Sequence, residues 1–469
     1  MPEPRWSKLL TVAGLHGLIP CYERVGKWLR LDRDYALRLP PGGPPLTAHL
    51  RSSEAATLSL ELNAYEGVSV REVPGCDGAA RFSEFGNRFE LQVEPGEFTL
   101  TFARSGADAT GFSARLCRAD GSPADCVEAL ATPADAQPEL SPWVYFNEQM
   151  SRAGELEFSA ATDWPVWREA LRAELAEMAA EPERAPLRPS GGQPLPFDEP
   201  GMQYFVSFLE SEAGSAVFCH TLVPDRPNGA GLLCLHGHGY KYGETLGLDG
   251  GDREQQRVIE QYNYAYAREA ARRGYVAITP ELRGFGERAD PPRPPKDMCD
   301  ANFLRAIHFG QTLVGLQVCD LRAALDYLLT RPEVDPERIG CIGLSTGGRM
   351  TMVLTALDDR IKVAVPSGCL NTFRERLSIG SSCGTQFLPG LLNVCDTPEI
   401  FGLVAPRPML IEHGADDGTS PELYAMDAWE KIKGIYAAAG AADKLALEVF
   451  PGGHRWNGVA AWEWLERWL

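Results

Sequence analysis

Gly343-Leu344-Ser345-Thr346-Gly347 reads G-x-S-x-G, and its flanks make it informative. Apolar Arg338 to Leu344 (RIGCIGL) precedes the serine and helix-forming GRMTMVLTAL follows it. A sharp strand-to-helix turn requires glycine where a side chain would clash, and it thrusts the serine hydroxyl above the sheet. It also sets Ser345 at a helix N-terminus, where backbone N–H groups favour developing negative charge. The competing reading is a glycine-rich βα turn with an incidental serine. The strand before and the helix after favour a nucleophile.

A serine hydroxyl needs a base, and the base needs an orienting carboxylate. Downstream of Ser345 the only histidines are His413 and His454. His454 follows a strand-like run in Phe450-Pro451-Gly452-Gly453-His454 and precedes the last helix, whereas His413 ends its own strand and reads as a structural histidine. The carboxylate candidates are Asp416 and Asp417, in His413-Gly414-Ala415-Asp416-Asp417-Gly418. Order Ser, acid, His, each just past a strand, is one known arrangement of such a triad.

Leu235-His236-Gly237-His238-Gly239 follows the strand-like Gly231 to Leu235 (GLLCL) and is the candidate oxyanion loop. The His238 amide, with Gly239 next in line, and the Thr346 amide are the expected donors. Metal binding by His236 and His238 is the competing reading. Two histidines at i, i+2 show no convincing third ligand nearby in the sequence, so no metal is expected. Gly239, Tyr240 and Trp456 adjoin these residues and are candidate pocket residues, with packing under the loops as the alternative.

The elements around these residues form a pattern. Gln203 to Glu210 and Ser215 to Leu222 read as an antiparallel pair. Then strands alternate with helices: GLLCL, helical Glu260 to Arg273, Tyr275 to Thr279, helical Leu313 to Leu329, RIGCIGL, Ile361 to Val365, Pro408 to Glu412, Ala446 to Phe450, and a closing helix Val459 to Leu469. That alternation predicts a mostly parallel, doubly wound sheet. Residues 284–313 and Cys369 to Val394 are long insertions at the catalytic end, expected to shape acyl and alcohol pockets. Arg374 and Arg376 could meet an acidic substrate there, although surface ion pairs are commoner.

The first part of the chain differs. After an amphipathic opening (Trp6 to Leu31), alternating runs such as Ala56 to Asn63, Val68 to Val73, Arg88 to Val93, Glu97 to Arg104 and Gly111 to Cys117 predict a small antiparallel β-sandwich over 1–145. Residues 146–200 read as a helical and proline-containing linker, with a helix over 163–181 burying Trp167, Leu171, Leu175 and Met178. The catalytic domain is expected over 201–469.

Composition sets outer bounds. The chain of 469 residues allows two or three domains at ~150 residues each. Its 44% hydrophobic and 23% charged residues are those of a globular protein rather than a disordered one. With 45 basic and 64 acidic residues the formal charge is −19, which repels nucleic acid and anionic membrane. The apolar stretch Leu9 to Pro20 is too short to span a bilayer and lacks a signal-peptide cleavage site. Twelve cysteines are scattered without C-x-x-C or zinc spacing, so a reducing cytoplasmic setting is expected. Cys383 and Cys395 are the pair left open for a disulfide.

Several motifs together resemble a known family. Asp335 to Gly348 (DPERIGCIGLSTGG), Leu357-Asp358-Asp359-Arg360-Ile361, Ala405-Pro406-Arg407-Pro408, His236 to Gly239 and Pro280 to Arg288 (PELRGFGER) are similar to the dienelactone hydrolase-like and acetyl xylan esterase-like α/β-hydrolases. The resemblance covers residues 150–469 and implies an α/β-hydrolase fold behind the small β-sandwich. In that family the acid falls three residues after the loop glycine, with a proline four further on. Gly414, Asp417 and Pro421 fit, so the resemblance implies Asp417. The implied reaction is hydrolysis of a small-molecule or glycan ester through an acyl-enzyme on Ser345, which requires no cofactor. Two rival readings are a prolyl oligopeptidase-like serine peptidase and a non-catalytic binding protein of the same fold. The N-terminal part is too short for the former's propeller, and a complete triad argues against the latter.

Overall fold

The computed structural model describes residues 37–39, 46–64, 68–71, 81–83, 86–104, 110–118, 126–129, 146, 149–150, 152–238, 242–289, 299–379, 383–420 and 422–469. The amphipathic opening, Trp6 to Leu31, and the prolines at 291–295 lie outside these residues. Contacts divide the chain into two units, Met1–Ala153 with Ser378–Gly380, and Gly154–Leu377 with Ser381–Leu469.

In the first unit the described strands form two antiparallel sheets. One runs in the order Leu37–Leu39, Thr110–Arg118, Ala56–Ala64, Gly86–Val93, Arg81–Ser83. The other runs Val68–Arg71, Gly96–Arg104, Leu46–Ser52, Val127–Ala129. The alternation seen in the sequence has its cause in burial: Leu58 and Leu60 lie inside, and Leu58 pairs across to the buried Leu91.

The second unit is built on nine strands: β1 (Pro189–Leu195), β2 (Met202–Glu212), β3 (Ser215–Pro224), β4 (Gly231–Leu235), β5 (Val276–Pro280), β6 (Ile339–Leu344), β7 (Val363–Ser367), β8 (Met409–Gly414) and β9 (Leu445–Phe450). Their order is β1-β2-β3-β5-β4-β6-β7-β8-β9. β1, β2, β3 and β5 pair antiparallel, and from β5 to β9 every pairing is parallel. All five residues of β4 are buried. Leu233 and Leu235 belong to one core cluster and Leu232 and Cys234 to the other, because successive side chains of a strand point to opposite faces. A strand covered on both faces must be apolar throughout, which is why GLLCL does not alternate.

The helices are α1 (Trp164–Ala179), α2 (Arg253–Tyr262), α3 (Tyr266–Arg272), α4 (Cys299–His308), α5 (Leu313–Leu329), α6 (Thr346–Leu357), α7 (Phe373–Ile379), α8 (Leu391–Val394), α9 (Thr397–Gly402), α10 (Glu422–Ala438) and α11 (Val459–Trp468). α1 buries Trp167, Leu171, Leu175 and Ala179, and it ends where Ala180 turns left-handed, two residues before Pro182. Met178 is only partly buried.

Two expectations are corrected here. The helix expected from Glu260 to Arg273 is two helices, α2 and α3, broken at Asn263 with φ of +50°. Asparagine tolerates that conformation, and the Asn263 side-chain amide is held there by the Trp456 carbonyl at 3.2 Å. The proline-containing stretch is also not free of regular structure. Pro189–Leu195 pairs with β2 at the sheet edge, through an irregularity between Gly191 and Pro194, which is where prolines are tolerated in sheets.

Candidate active site

The loops after β4, β6, β7, β8 and β9 all leave the carboxyl edge of the parallel sheet, the usual ligand side of such folds. Ser345 joins β6 to α6 with φ of +60°, an unusual conformation for a residue with a side chain. Its amide donates to the Ser367 carbonyl of β7 at 2.8 Å, and its carbonyl accepts from Arg349 N at 2.9 Å. A Cβ on Gly347 would lie 1.9 Å from the Leu235 carbonyl oxygen, and one on Gly343 would lie 2.6 Å from that of Gly347. Only glycine lets α6 approach β4 and β6 this closely, and that approach holds the strained turn.

His454 follows β9, and its Nδ1 is 2.7 Å from Asp417 Oδ2. Asp417 is 3% exposed, whereas the adjacent Asp416 faces solvent. Thr419 completes the acid's surroundings: its amide and hydroxyl donate to Asp417 Oδ1 at 2.8 and 2.7 Å. Burial pushes the Asp417 carboxyl up, but the hydrogen bond and charge of His454, with the two Thr419 donors, outweigh it and hold the carboxyl below its ordinary range. Gly368, just past β7, lies against the imidazole. A Cβ there would sit 3.0 Å from His454 Cε1 and 3.0 Å from Leu344 Cδ1, beside the elbow.

The candidate oxyanion loop lies against the elbow. A Cβ on Gly237 would come within 3.2 Å of Ser345 Cβ and 2.6 Å of Tyr264 Oη. His238 Nδ1 is 2.7 Å from Thr346 Oγ1, which ties together the two residues expected to donate their amides. His236 points the other way. Its Nε2 accepts from Leu282 N at 3.0 Å, so the proton sits on Nδ1 and is donated to the Gly237 carbonyl at 2.8 Å. Burial pushes its pKa down to about 4, so it stays neutral and shapes the loop.

Of the other residues singled out, Gly239, Tyr240 and Pro421 lie outside the described residues. Trp456 is corrected. It is 1% exposed and packs in the core between Tyr266 and Trp462, because its amide and carbonyl are held by Tyr262 and Asn263. His413 is fully buried in β8, and desolvation lowers its pKa. Arg374 meets Glu157 and Asp396 at 3.5 and 3.7 Å. Arg376 donates to the Thr419 carbonyl at 3.0 Å.

Sequence reasoning missed Thr419, Gly368, Glu412 and the thiols of Cys299 and Cys383. Glu412, fully buried, accepts from the amides of Asn457 and Gly458 at 3.1 and 2.7 Å and so anchors the chain after His454. A threonine two residues past an Asx-turn aspartate was the one local signal for Thr419. Cys383 and Cys395 are both thiols, as are Cys126, Cys219, Cys234, Cys299, Cys319, Cys341 and Cys369. The Cys383 thiol is pushed down to about 5 by hydrogen bonding from Cys299, against burial and with help from His238 and Thr385.

Residues 260–370 match the dienelactone hydrolase family, a span that includes Ser345. The chain is 30% identical over 250 residues to "Putative hydrolase YtaP" of Bacillus subtilis (strain 168), covering 51% of this chain and 78% of that protein. A solved "putative acetyl xylan esterase" from Bacteroides fragilis NCTC 9343 superposes with a TM-score of 0.58 at 18% identity, over 68% of this chain and 84% of its own. A glucuronoyl esterase from Solibacter usitatus gives 0.50 at 14% identity, over 67% and 96%. At such identities the two likenesses are of fold.

Proposed function

Because this chain belongs to the dienelactone hydrolase-like branch of the α/β-hydrolases, we propose that it is a serine carboxylic-ester hydrolase with Ser345, His454 and Asp417 as its catalytic triad. Ser345 Oγ attacks the ester carbonyl while His454 Nε2 takes its proton and later returns it to the leaving alkoxide. Asp417, bonded to Nδ1, keeps the imidazole in the tautomer that leaves Nε2 free to act as base. It also stabilises the imidazolium that forms. The amides of His238 and Thr346 receive the oxyanion, each such donor lowering the barrier by ~3 kcal/mol. Water then repeats the sequence on the acyl-enzyme, with His454 as its base.

The observation that carries this reading is the 2.7 Å contact between His454 and Asp417, built at the ends of β8 and β9 next to a serine elbow at the end of β6. Short-chain or carbohydrate-linked esters are the substrate class. The solved structures of like fold include proteins named acetyl xylan and glucuronoyl esterase, and a −19 charge disfavours nucleic acid or anionic lipid as a partner. Thiols packed as small hydrophobes in apolar strands fit a reducing cytoplasm.

Hydrolysis of a short-chain aryl ester by wild type and Ser345→Ala tests the chemistry. Loss of turnover in the variant is expected, and equal rates would overturn the reading. Acetylated xylan set against a short proline-containing peptide then separates esterase from peptidase.

A further inference from the structure

His238, Cys299 and Cys383 lie far apart in the chain, on the oxyanion loop, the first residue of α4 and the turn before Gly384–Gln386, yet their ligand atoms lie within 4.8 Å of one another. His238 Nε2 faces Cys299 Sγ at 3.8 Å. Tetrahedral zinc, with Zn–S near 2.3 Å and Zn–N near 2.0 Å, separates its ligand atoms by about 3.5–3.8 Å. The cluster therefore needs little contraction to hold such an ion.

The surroundings orient these groups as ligands. His238 Nδ1 lies 2.7 Å from Thr346 Oγ1, and in the tautomer that donates Nδ1–H to this hydroxyl the Nε2 lone pair faces the thiols. Ligating histidines are commonly oriented by such a bond from the other ring nitrogen. Asp300 Oδ1 accepts from Gly384 N at 2.7 Å, which joins the segments carrying the two cysteines. A Cβ on Gly384 would lie 2.4 Å from Phe303 Cβ, so α4 and the Cys383 turn are packed directly on each other. His238 and Cys383 are partly exposed and Cys299 is buried, which gives the site an open side.

We propose that His238 Nε2, Cys299 Sγ and Cys383 Sγ form a three-ligand site for a soft divalent metal, zinc by preference, beside the oxyanion loop. Two thiolates and an imidazole select zinc and related thiophilic ions over magnesium or calcium, which require oxygen ligands. Each thiol loses its proton to solvent on binding, and the two thiolates neutralise the ion's charge. A fourth position stays open to water or another donor. A disulfide between the same sulfurs would use only two of the three groups. The site stands independently of the esterase reading, since binding is measured without turnover.

The test uses full-length protein, fully reduced and stripped with a chelator, titrated with zinc by calorimetry and with cobalt(II) by absorption. One equivalent of tightly bound zinc is expected, with a thiolate-to-cobalt charge-transfer band and the visible spectrum of a tetrahedral ion. Cys299→Ser and Cys383→Ser should each weaken binding by ~100-fold or more, and Thr346→Val by ~10-fold through the imidazole it orients. Cys126→Ser, in the other unit, should leave binding unchanged. Zinc bound equally by the Cys299→Ser/Cys383→Ser double variant, or a cobalt complex without thiolate charge transfer, would overturn the proposal. Should a cysteine variant fail to fold, the cobalt spectrum of the wild type decides alone.

Discussion

Gly368 lies directly against His454: with φ of +60°, a Cβ on it would stand 3.0 Å from Cε1 and 3.2 Å from Nδ1 of the imidazole. The same residue donates its amide to the Glu412 carbonyl of β8 at 3.1 Å. The floor under the histidine is thus backbone fixed between two neighbouring strands, and it cannot retreat from an added methyl.

Gly368→Ala should therefore act mainly on kcat. The methyl pushes the imidazole away from the serine, and misplacement of a catalytic group by about 1 Å costs ~100-fold. KM should change much less, and the left-handed backbone should lower stability by ~1 kcal/mol. Wild-type kcat in a correctly folded variant would show that the contact does not position His454.

Asp416 and Asp417 are adjacent, but only Asp417 reaches the imidazole. Asp417→Asn should lower kcat by ~10³–10⁴-fold, the size expected when the orienting carboxylate is lost. Asp416→Asn, at an exposed position, should leave kcat within ~2-fold. The opposite ranking in steady-state kinetics would reassign the acid.

Burial in β8 raises the Glu412 carboxyl from 4.5 to about 7, against the two backbone amides that favour its charged form. A carboxyl with a raised folded pKa holds its proton where the unfolded chain has lost it. Its stability contribution is thus fully present below about pH 4.5 and is lost as pH rises through 7. Glu412→Gln removes that dependence. In denaturant unfolding, the stability of wild type relative to the variant should fall by on the order of 3 kcal/mol between pH 4.5 and 8. A difference independent of pH would show that Glu412 does not titrate in this window.

Asp320 on α5 accepts from Arg283 Nε at 2.7 Å, Arg288 at 2.6 Å and Ser211 Oγ at 2.6 Å, and is 1% exposed. Burial raises its pKa, but the two guanidinium groups outweigh burial and hold it below the usual range. Asp320→Asn removes the buried charge that both arginines share, leaving Arg283 with Glu212 at 2.6 Å, and should cost ~3–5 kcal/mol. The wild-type contribution is present above the ordinary carboxylate pKa and fades as pH falls through the depressed folded value. Thermal melts at pH 7 and pH 3 should thus differ more between variant and wild type at the higher pH.

Much of the second unit is legible residue by residue because its signals are local. RIGCIGL followed by GRMTMVLTAL marks β6 and α6, and the glycines between them meet a steric demand that a short stretch of chain states in full. Leu313–Leu329 reads as one helix because nothing within it competes. Asn263 is different: Glu260 to Arg273 has helical periodicity throughout, and the break depends on the distant Trp456 carbonyl. Trp456 shows the same limit, since an aromatic beside a catalytic histidine reads equally well as pocket or core. Gly368 carried no signal, because it acts through His454 beyond another strand, and Thr419 carried only the weak one of its spacing from Asp417.

The amino-acid sequence by itself determined the run of strands and helices, the elbow at Ser345, and the placement of Asp417 and His454 just after strands. Periodicity, glycine at strained turns and apolar runs are properties of neighbouring residues, so they are written where they act. Only the tertiary structure decided that Asp417 is buried on His454 while Asp416 faces water, and that Trp456 is core. It also brought Cys299 and Cys383 to His238, although no ligand spacing links them. Those outcomes depend on how insertions after separate strands fold back over one sheet edge. That path is set by packing between distant segments rather than by the residues on either side.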